Sequence, residues 1–162
     1  MDRVHVRAGI GQDAETISAL VMQSRYSFFA HPDGRGTKAF MLAASPDAIR
    51  QYLLGERHAY LVAELDDTVI GAFGVRDRRH IFHLFIAEEV RGQGIARLLW
   101  QNGRDRLLDA GDVTVNASLS AVAMYERFGF FVAGEQVERN GVVFVPMRLV
   151  GETSAREGAM PT

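Results

Sequence analysis

At 162 residues the chain suits one compact domain, and its 48% hydrophobic and 23% charged residues are those of an ordinary globular protein. A formal net charge of −2 supplies no basic field to concentrate nucleic acid, and the absence of cysteine removes a disulfide framework, a thiolate metal site and a cysteine nucleophile together. No run approaches the ~18 apolar residues of a membrane span, and the N-terminus lacks a signal peptide's apolar core. The expectation is a cytoplasmic protein with neither a nucleic-acid nor a membrane partner.

Residues 4–6 predict a short first strand, and Asp13 offers an N-cap to a helix that buries Ile17, Leu20 and Val21 on one face. Beyond Ser24, the run Pro32-Asp33-Gly34-Arg35-Gly36 signals a loop. Ser45-Pro46 then starts a helix, a capping hydroxyl ahead of the residue best tolerated at the first position, with Ile49, Tyr52 and Leu53 on its buried face. Residues 59–65 and 68–75 predict two strands joined across Asp66-Asp67 at hairpin length, and 80–87 a third, dense in aromatic and apolar side chains. The period then changes. Ala96, Leu99, Trp100, Gly103, Leu107 and Ala110 form one helical stripe, which Gly111 is expected to stop.

Val113, Thr114 and Val115 suit a buried strand. Ser118 can cap a second helix carrying Ala121, Met124, Tyr125 and Phe128 on one face, with Gly129 ending it. Residues 130–132 and 142–149 predict the last strands, with Asn140-Gly141 as a turn, and Pro146 hints at a sheet edge or a bulge. The tail 151–162 has almost no large apolar residue and is expected to be mobile, leaving 1–150 as a single domain. Arg76, Arg78, Arg79, Arg97, Arg104 and Arg106 read as a solvated face.

The chemistry concentrates where the 80–87 strand meets the next helix, at Arg91-Gly92-Gln93-Gly94-Ile95-Ala96. Glycines at alternate positions let the backbone turn sharply and approach a ligand. The free N–H groups of the helix start, with the helix dipole, make a pyrophosphate site that Arg91 can supplement. A bare bend uses glycine in the same way. A P-loop is disfavoured because no Gly-Lys-Ser/Thr follows, and a dinucleotide fold because no βαβ unit precedes the turn.

The segment Leu84-Phe85-Ile86-Ala87-Glu88-Glu89-Val90-Arg91-Gly92-Gln93-Gly94-Ile95-Ala96 resembles the acetyl-CoA signature of the GNAT superfamily of N-acetyltransferases. Val115-Asn116-Ala117-Ser118 followed by Met124-Tyr125-Glu126-Arg127-Phe128-Gly129-Phe130 is similar to that family's next strand and helix. The resemblance is specific over about residues 59–135, and before residue 59 it lies only in the order of elements. It implies an α/β fold of six or seven mostly antiparallel strands, with helices on both faces and two central strands splayed apart. It also implies acetyl-CoA as cosubstrate and an amine acceptor of small-molecule or peptide type; no metal is expected, since no third ligand accompanies His80 and His83. Homodimers are common in the family.

By the same resemblance, residues 91–96 hold the pyrophosphate, Leu84, Phe85 and Ile86 run beside the pantetheine arm with backbone groups of Phe85 and Ile86 offered to it, and Asn116 and Ser118 lie near the gap. Ser118 stands where relatives often carry asparagine, and Ala96 replaces the more usual glycine. Tyr125 is the candidate general acid for the departing thiolate, with a core aromatic as the alternative reading. His80 is the candidate base, since imidazole titrates near neutrality. By alternation His80, Phe82 and Leu84 share a face and His83 opposes them, which also speaks against a metal pair. Tyr26, Phe28, Phe29 and His31 either line an acceptor pocket or pack beneath their own loop. A non-catalytic acyl-CoA-binding module on the same fold is the rival function. A nucleotide-binding domain is a third reading.

Overall fold

The computed structural model describes residues 3–151; the remainder of the expected tail lies outside the described residues. The strands are β1 (Val4–Ala8), β2 (His58–Leu65), β3 (Thr68–Arg76), β4 (His80–Ile86), β5 (Val113–Ala117), β6 (Phe131–Val132), β7 (Val137–Arg139) and β8 (Val142–Leu149); helices α1 (Ala14–Gln23), α2 (Lys38–Ala43) and α3 (Pro46–Leu54) lie between β1 and β2, α4 (Ile95–Arg106) between β4 and β5, and α5 (Val122–Arg127) between β5 and β6. The sheet runs β1-β2-β3-β4-β5-β8-β6, with β7 also paired to β8. Its ladders are antiparallel except β4–β5. This is the expected mixed α/β architecture, with eight strands among the described residues instead of six or seven.

Turn chemistry decides much of the connectivity. Asp66 and Asp67 (φ 50° and 65°) and Asn140 with Gly141 (φ 51° and 77°) take the left-handed conformations of tight hairpin turns. Gly129, at φ 104°, follows α5 as a left-handed stop. Ser45 Oγ accepts from Ala48 N–H at 3.2 Å, so the cap of α3 forms as its sequence implies.

Five local expectations are corrected. Asp13 stands before α1 but does not cap it. Its carboxylate accepts from Ile10 N–H at 2.8 Å and takes two 2.9 Å bonds from Arg7, which also binds Glu64. Helix α4 ends at Arg106, before Gly111. Gly151 is buried instead of mobile: its N–H donates to Asp112 at 2.9 Å, and an added Cβ would lie 2.2 Å from the Gly111 carbonyl carbon. Ser118 makes no side-chain cap, because a tighter turn at Leu119–Ala121 intervenes before α5. Pro146 is not on an edge strand, since β8 has neighbours on both sides. Its missing N–H falls on the side where pairing passes from β6 to β7, so no ladder bond is lost.

The core lies on both sheet faces. Helices α1 and α3 cover one, where Leu53 and Tyr60 close on Gly9. On the other face α4 packs Leu99 and Trp100 over Phe73, and Trp100 stacks on Phe128 just beyond α5 at 5.6 Å. Gly103 lets α4 approach the sheet, because a Cβ there would sit 2.2 Å from the Phe73 ring. Gly103→Ala is therefore expected to destabilise by about 1–3 kcal/mol through overpacking, despite alanine's better helix propensity, and thermal unfolding should read a Tm several degrees lower. No helix among the described residues is long and apolar enough to cross a membrane.

Candidate active site

Strands β4 and β5 pair only at His80–Thr114 and Ile81–Val115. Beyond that point β4 follows β3 to the Ile86–Gly71 pair while β5 follows β8 to Ala117–Val145, so the two strands part. Ala87 N–H donates to the Ile70 carbonyl at 2.8 Å. By alternation the backbone groups of Phe85 also turn to β3, whereas those of Leu84 and Ile86 face the gap. Ile86 thus turns its backbone toward the gap, whereas Phe85, expected to do the same, turns only its side chain toward the site.

A cavity of about 680 Å³ opens there, lined by β4, β5, the start of α4, α5 and residues 23–28. At its far end Gly92 (φ 78°) and Gly94 (φ 84°) form the turn into α4, and a Cβ on either would meet open space. The first bond of α4 runs from Leu98 N–H to the Gly94 carbonyl at 3.0 Å, leaving the N–H groups of Ile95, Ala96 and Arg97 without intrahelical acceptors. No acidic residue occupies the first turn, and Arg91, Arg97 and Arg127 are the arginines of the lining. Room, donors and positive charge at one helix start fit a pyrophosphate. Arg91 meanwhile donates through Nε to the Ile86 carbonyl at 3.2 Å and through Nη2 to Ser24 Oγ at 2.8 Å, tying the turn to the end of α1.

Tyr125 reaches the cavity from α5, 4% exposed and edge-on to Phe128 and Phe130. Burial raises its phenol above the usual range, so the hydroxyl stays protonated at neutral pH.

The histidines differ from expectation. A bulge at Phe82 shifts the β3–β4 register between Gly74 and Val75. The extra residue reverses the alternation beyond it. His83 thus shares the face of Phe82 and bonds the Tyr60 hydroxyl at 2.8 Å, while Leu84 opposes Phe73 on the α4 side. Burial, and then the charge of His58, push His83 down to about 3. His80 stays at the closed end of the gap, outside the cavity lining, its Nδ1 2.8 Å from Thr114 Oγ1, and burial and then Arg76 lower it to about 4.

Residues 28–150 match the sequence model of a family described as an acetyltransferase (GNAT) domain. The chain belongs to the GNAT acetyltransferase family. Human N-acetyltransferase 8 is 34% identical over 107 residues, which cover 55% of this chain and 45% of that protein. Human N-acetyltransferase 8B is 32% identical over 103 residues with the same shares. The chain thus spans under half the length of these curated relatives. Among solved structures, a GCN5-related N-acetyltransferase from Rhodopseudomonas palustris superposes with TM-score 0.69 at 18% identity, covering 90% of this chain and 94% of that one. PaiA N-acetyltransferase from Thermoplasma acidophilum, in complex with coenzyme A, gives 0.67 at 15% identity, covering 91% and 98%. At such identities the likeness is one of fold.

Within this GNAT fold, Leu84, Phe85, Ile86, Arg91, Gly92, Gly94, Ile95, Ala96, Asn116, Ser118 and Tyr125 all line the one cavity. Gln93 is exposed and does not, and Ser118 Oγ turns to Ser120 Oγ at 3.3 Å. Tyr26 and Phe28 face the cavity, whereas Phe29 bridges to Val142 and His31 meets Arg35, so the 24–45 segment divides between the two readings of it. Sequence reasoning missed Gln23, Ser24 and Tyr60. Their partners lie 65, 67 and 23 residues away, and no local pattern marks them.

Proposed function

We propose that this GNAT domain moves the acetyl group of acetyl-CoA directly to a primary amine of a small molecule or peptide in a ternary complex. The observation that carries the reading is the continuous cavity from the glycine turn, along the free edge of β4, to Tyr125. The N–H groups opening α4 would hold the pyrophosphate, and the Leu84 and Ile86 backbone the pantetheine arm, as an added strand would be held. The amine nitrogen forms its bond to the thioester carbon as the carbon–sulfur bond breaks. Ile86 N–H is the donor for the charge growing on the carbonyl oxygen. Tyr125 gives its proton to the sulfur as the thiolate forms, and the surplus proton that the nitrogen sheds on becoming an amide returns through solvent to the phenolate, so no buried phenolate persists. Direct transfer requires no enzyme nucleophile, in keeping with a sequence without cysteine.

Free-thiol release from acetyl-CoA across a panel of amines, beside calorimetry with coenzyme A, tests the reading. Turnover supports it, and binding without turnover on any amine replaces it with a sensing module.

The pH profile is a second check. An alkylammonium must lose a proton before attack, and its pKa is near ~10. His80 at about 4 and His83 at about 3 both lie below their ordinary value, so each is neutral throughout the range 5–8 and titrates only in more acid solution. kcat/KM for the amine should therefore climb steadily with pH across that range, without a break near the ordinary histidine value. A break there would reveal a titrating base elsewhere.

A further inference from the structure

The acceptor half of the cavity has a wall of one chemical character. Tyr26 and Phe28 come from the segment after α1, and Phe82, His83 and Phe85 from β4. Phe28 meets Phe85 at 6.2 Å between ring centroids with Phe40 behind it at 5.7 Å, and Phe85 meets His83 edge-on at 5.6 Å. The side-chain oxygens of this wall already have partners. Gln23 Oε1 accepts from Glu88 N–H at 3.2 Å, Ser24 Oγ from Arg91 at 2.8 Å, and Ser27 Oγ donates to the Ser24 carbonyl at 2.7 Å. Glu88 is the one carboxylate among the lining residues, and it lies 4.0 Å from the Arg91 guanidinium.

A ligand here meets ring faces and edges. A polyamine or a basic peptide would find no spare carboxylate for its further ammonium groups. An amino sugar would turn its hydroxyls toward rings, and each desolvated, unpartnered group costs free energy. The exception in the wall is His83. His83 Nδ1 shares a hydrogen bond with the Tyr60 hydroxyl, its direction set by the ring tautomer, and Nε2 has no partner among the described residues. Burial keeps that ring neutral, so it does not repel an incoming ammonium.

We propose that the acceptor is a primary amine carried on an aromatic body with no second positive charge, its ring held by Phe28 and Phe85 and its nitrogen bonded to Nε2 of His83. The proposal rests on the acetyl-transfer reading and names its substrate class.

Initial rates with acetyl-CoA and phenethylamine, butylamine, spermidine or glucosamine test it. Phenethylamine should exceed butylamine in kcat/KM by at least about tenfold, the worth of filling an apolar pocket, with spermidine and glucosamine below both. Phe28→Ala should narrow the phenethylamine-to-butylamine ratio to within about twofold by removing that pocket wall, and Phe28→Tyr should keep it. Coenzyme A affinity by calorimetry checks that each variant is folded. Spermidine or glucosamine outpacing phenethylamine overturns the proposal, as does a ratio that Phe28→Ala leaves unaltered. If no amine is acetylated, the acetyl-transfer reading fails by itself. The aromatic site is then judged by calorimetric binding of phenethylamine to coenzyme-loaded protein. Binding that Phe28→Ala abolishes upholds it, while no binding to the wild type, or binding that Phe28→Ala leaves intact, overturns it.

Discussion

Replacing Tyr125 with phenylalanine is expected to lower kcat by at least about tenfold, the lower edge of what a positioned acid contributes, while KM for acetyl-CoA barely moves. The substitution removes one oxygen and leaves the ring edge-on between Phe128 and Phe130, at 6.1 and 5.4 Å. The hydroxyl makes no other hydrogen bond among the described residues, so its loss strands no partner and Tm should hold. Coenzyme is held, in the proposed mechanism, by the α4 turn and the β4 edge, which Tyr125 does not support. A stability effect and a catalytic effect are thus separable. Steady-state kinetics beside a thermal melt reads both, and unchanged turnover would remove Tyr125 from the chemistry.

Much of this was legible because it is local. The hairpin at Asp66-Asp67 is written in residues that tolerate positive φ. The α4 turn is written in Gly92 and Gly94, whose conformations no side chain adopts easily. The stripe through Leu99, Trp100 and Gly103 gave α4 its buried face. What stayed hidden depends on partners distant in sequence. The bulge at Phe82 carries no glycine or proline to mark it; it arises where β4 pairs with β3 around Gly74, whose missing Cβ makes room for the Tyr60 ring. An alternation argument fails by one residue at that point, and it puts His83 and Leu84 on each other's face. Helix α5 starts late for a similar reason, since nothing in Ser118-Leu119-Ser120 announces a tight turn before Val122. Pro146 misled because its cost depends on which side of β8 lacks a donor, and that is a property of the sheet.

Gly94→Ala should weaken coenzyme A binding by about tenfold or more, at a stability cost of no more than about 1–2 kcal/mol. In the left-handed region an alanine costs about 1–2 kcal/mol, and Gly94 sits at φ 84°. The added methyl meets no protein atom within 4 Å, so no clash compounds the strain. Its effect falls on the ligand: the methyl enters the space in front of the α4 amides, and relief of the strain re-aims the N–H groups of Ile95 and Ala96. Losing one charge-assisted hydrogen bond of about 1.5–3 kcal/mol corresponds to roughly 10–100-fold in Kd. Gly111→Ala is the matched control. It also faces open space, but without a positive φ and remote from the turn, so affinity and Tm should both stay at wild-type values. Calorimetry with coenzyme A on the two variants separates a glycine needed for backbone approach from one that is merely permitted. Equal affinity in both would mean that the α4 turn does not cradle the phosphates, and the proposed mechanism would lose its anchor while the fold assignment stood.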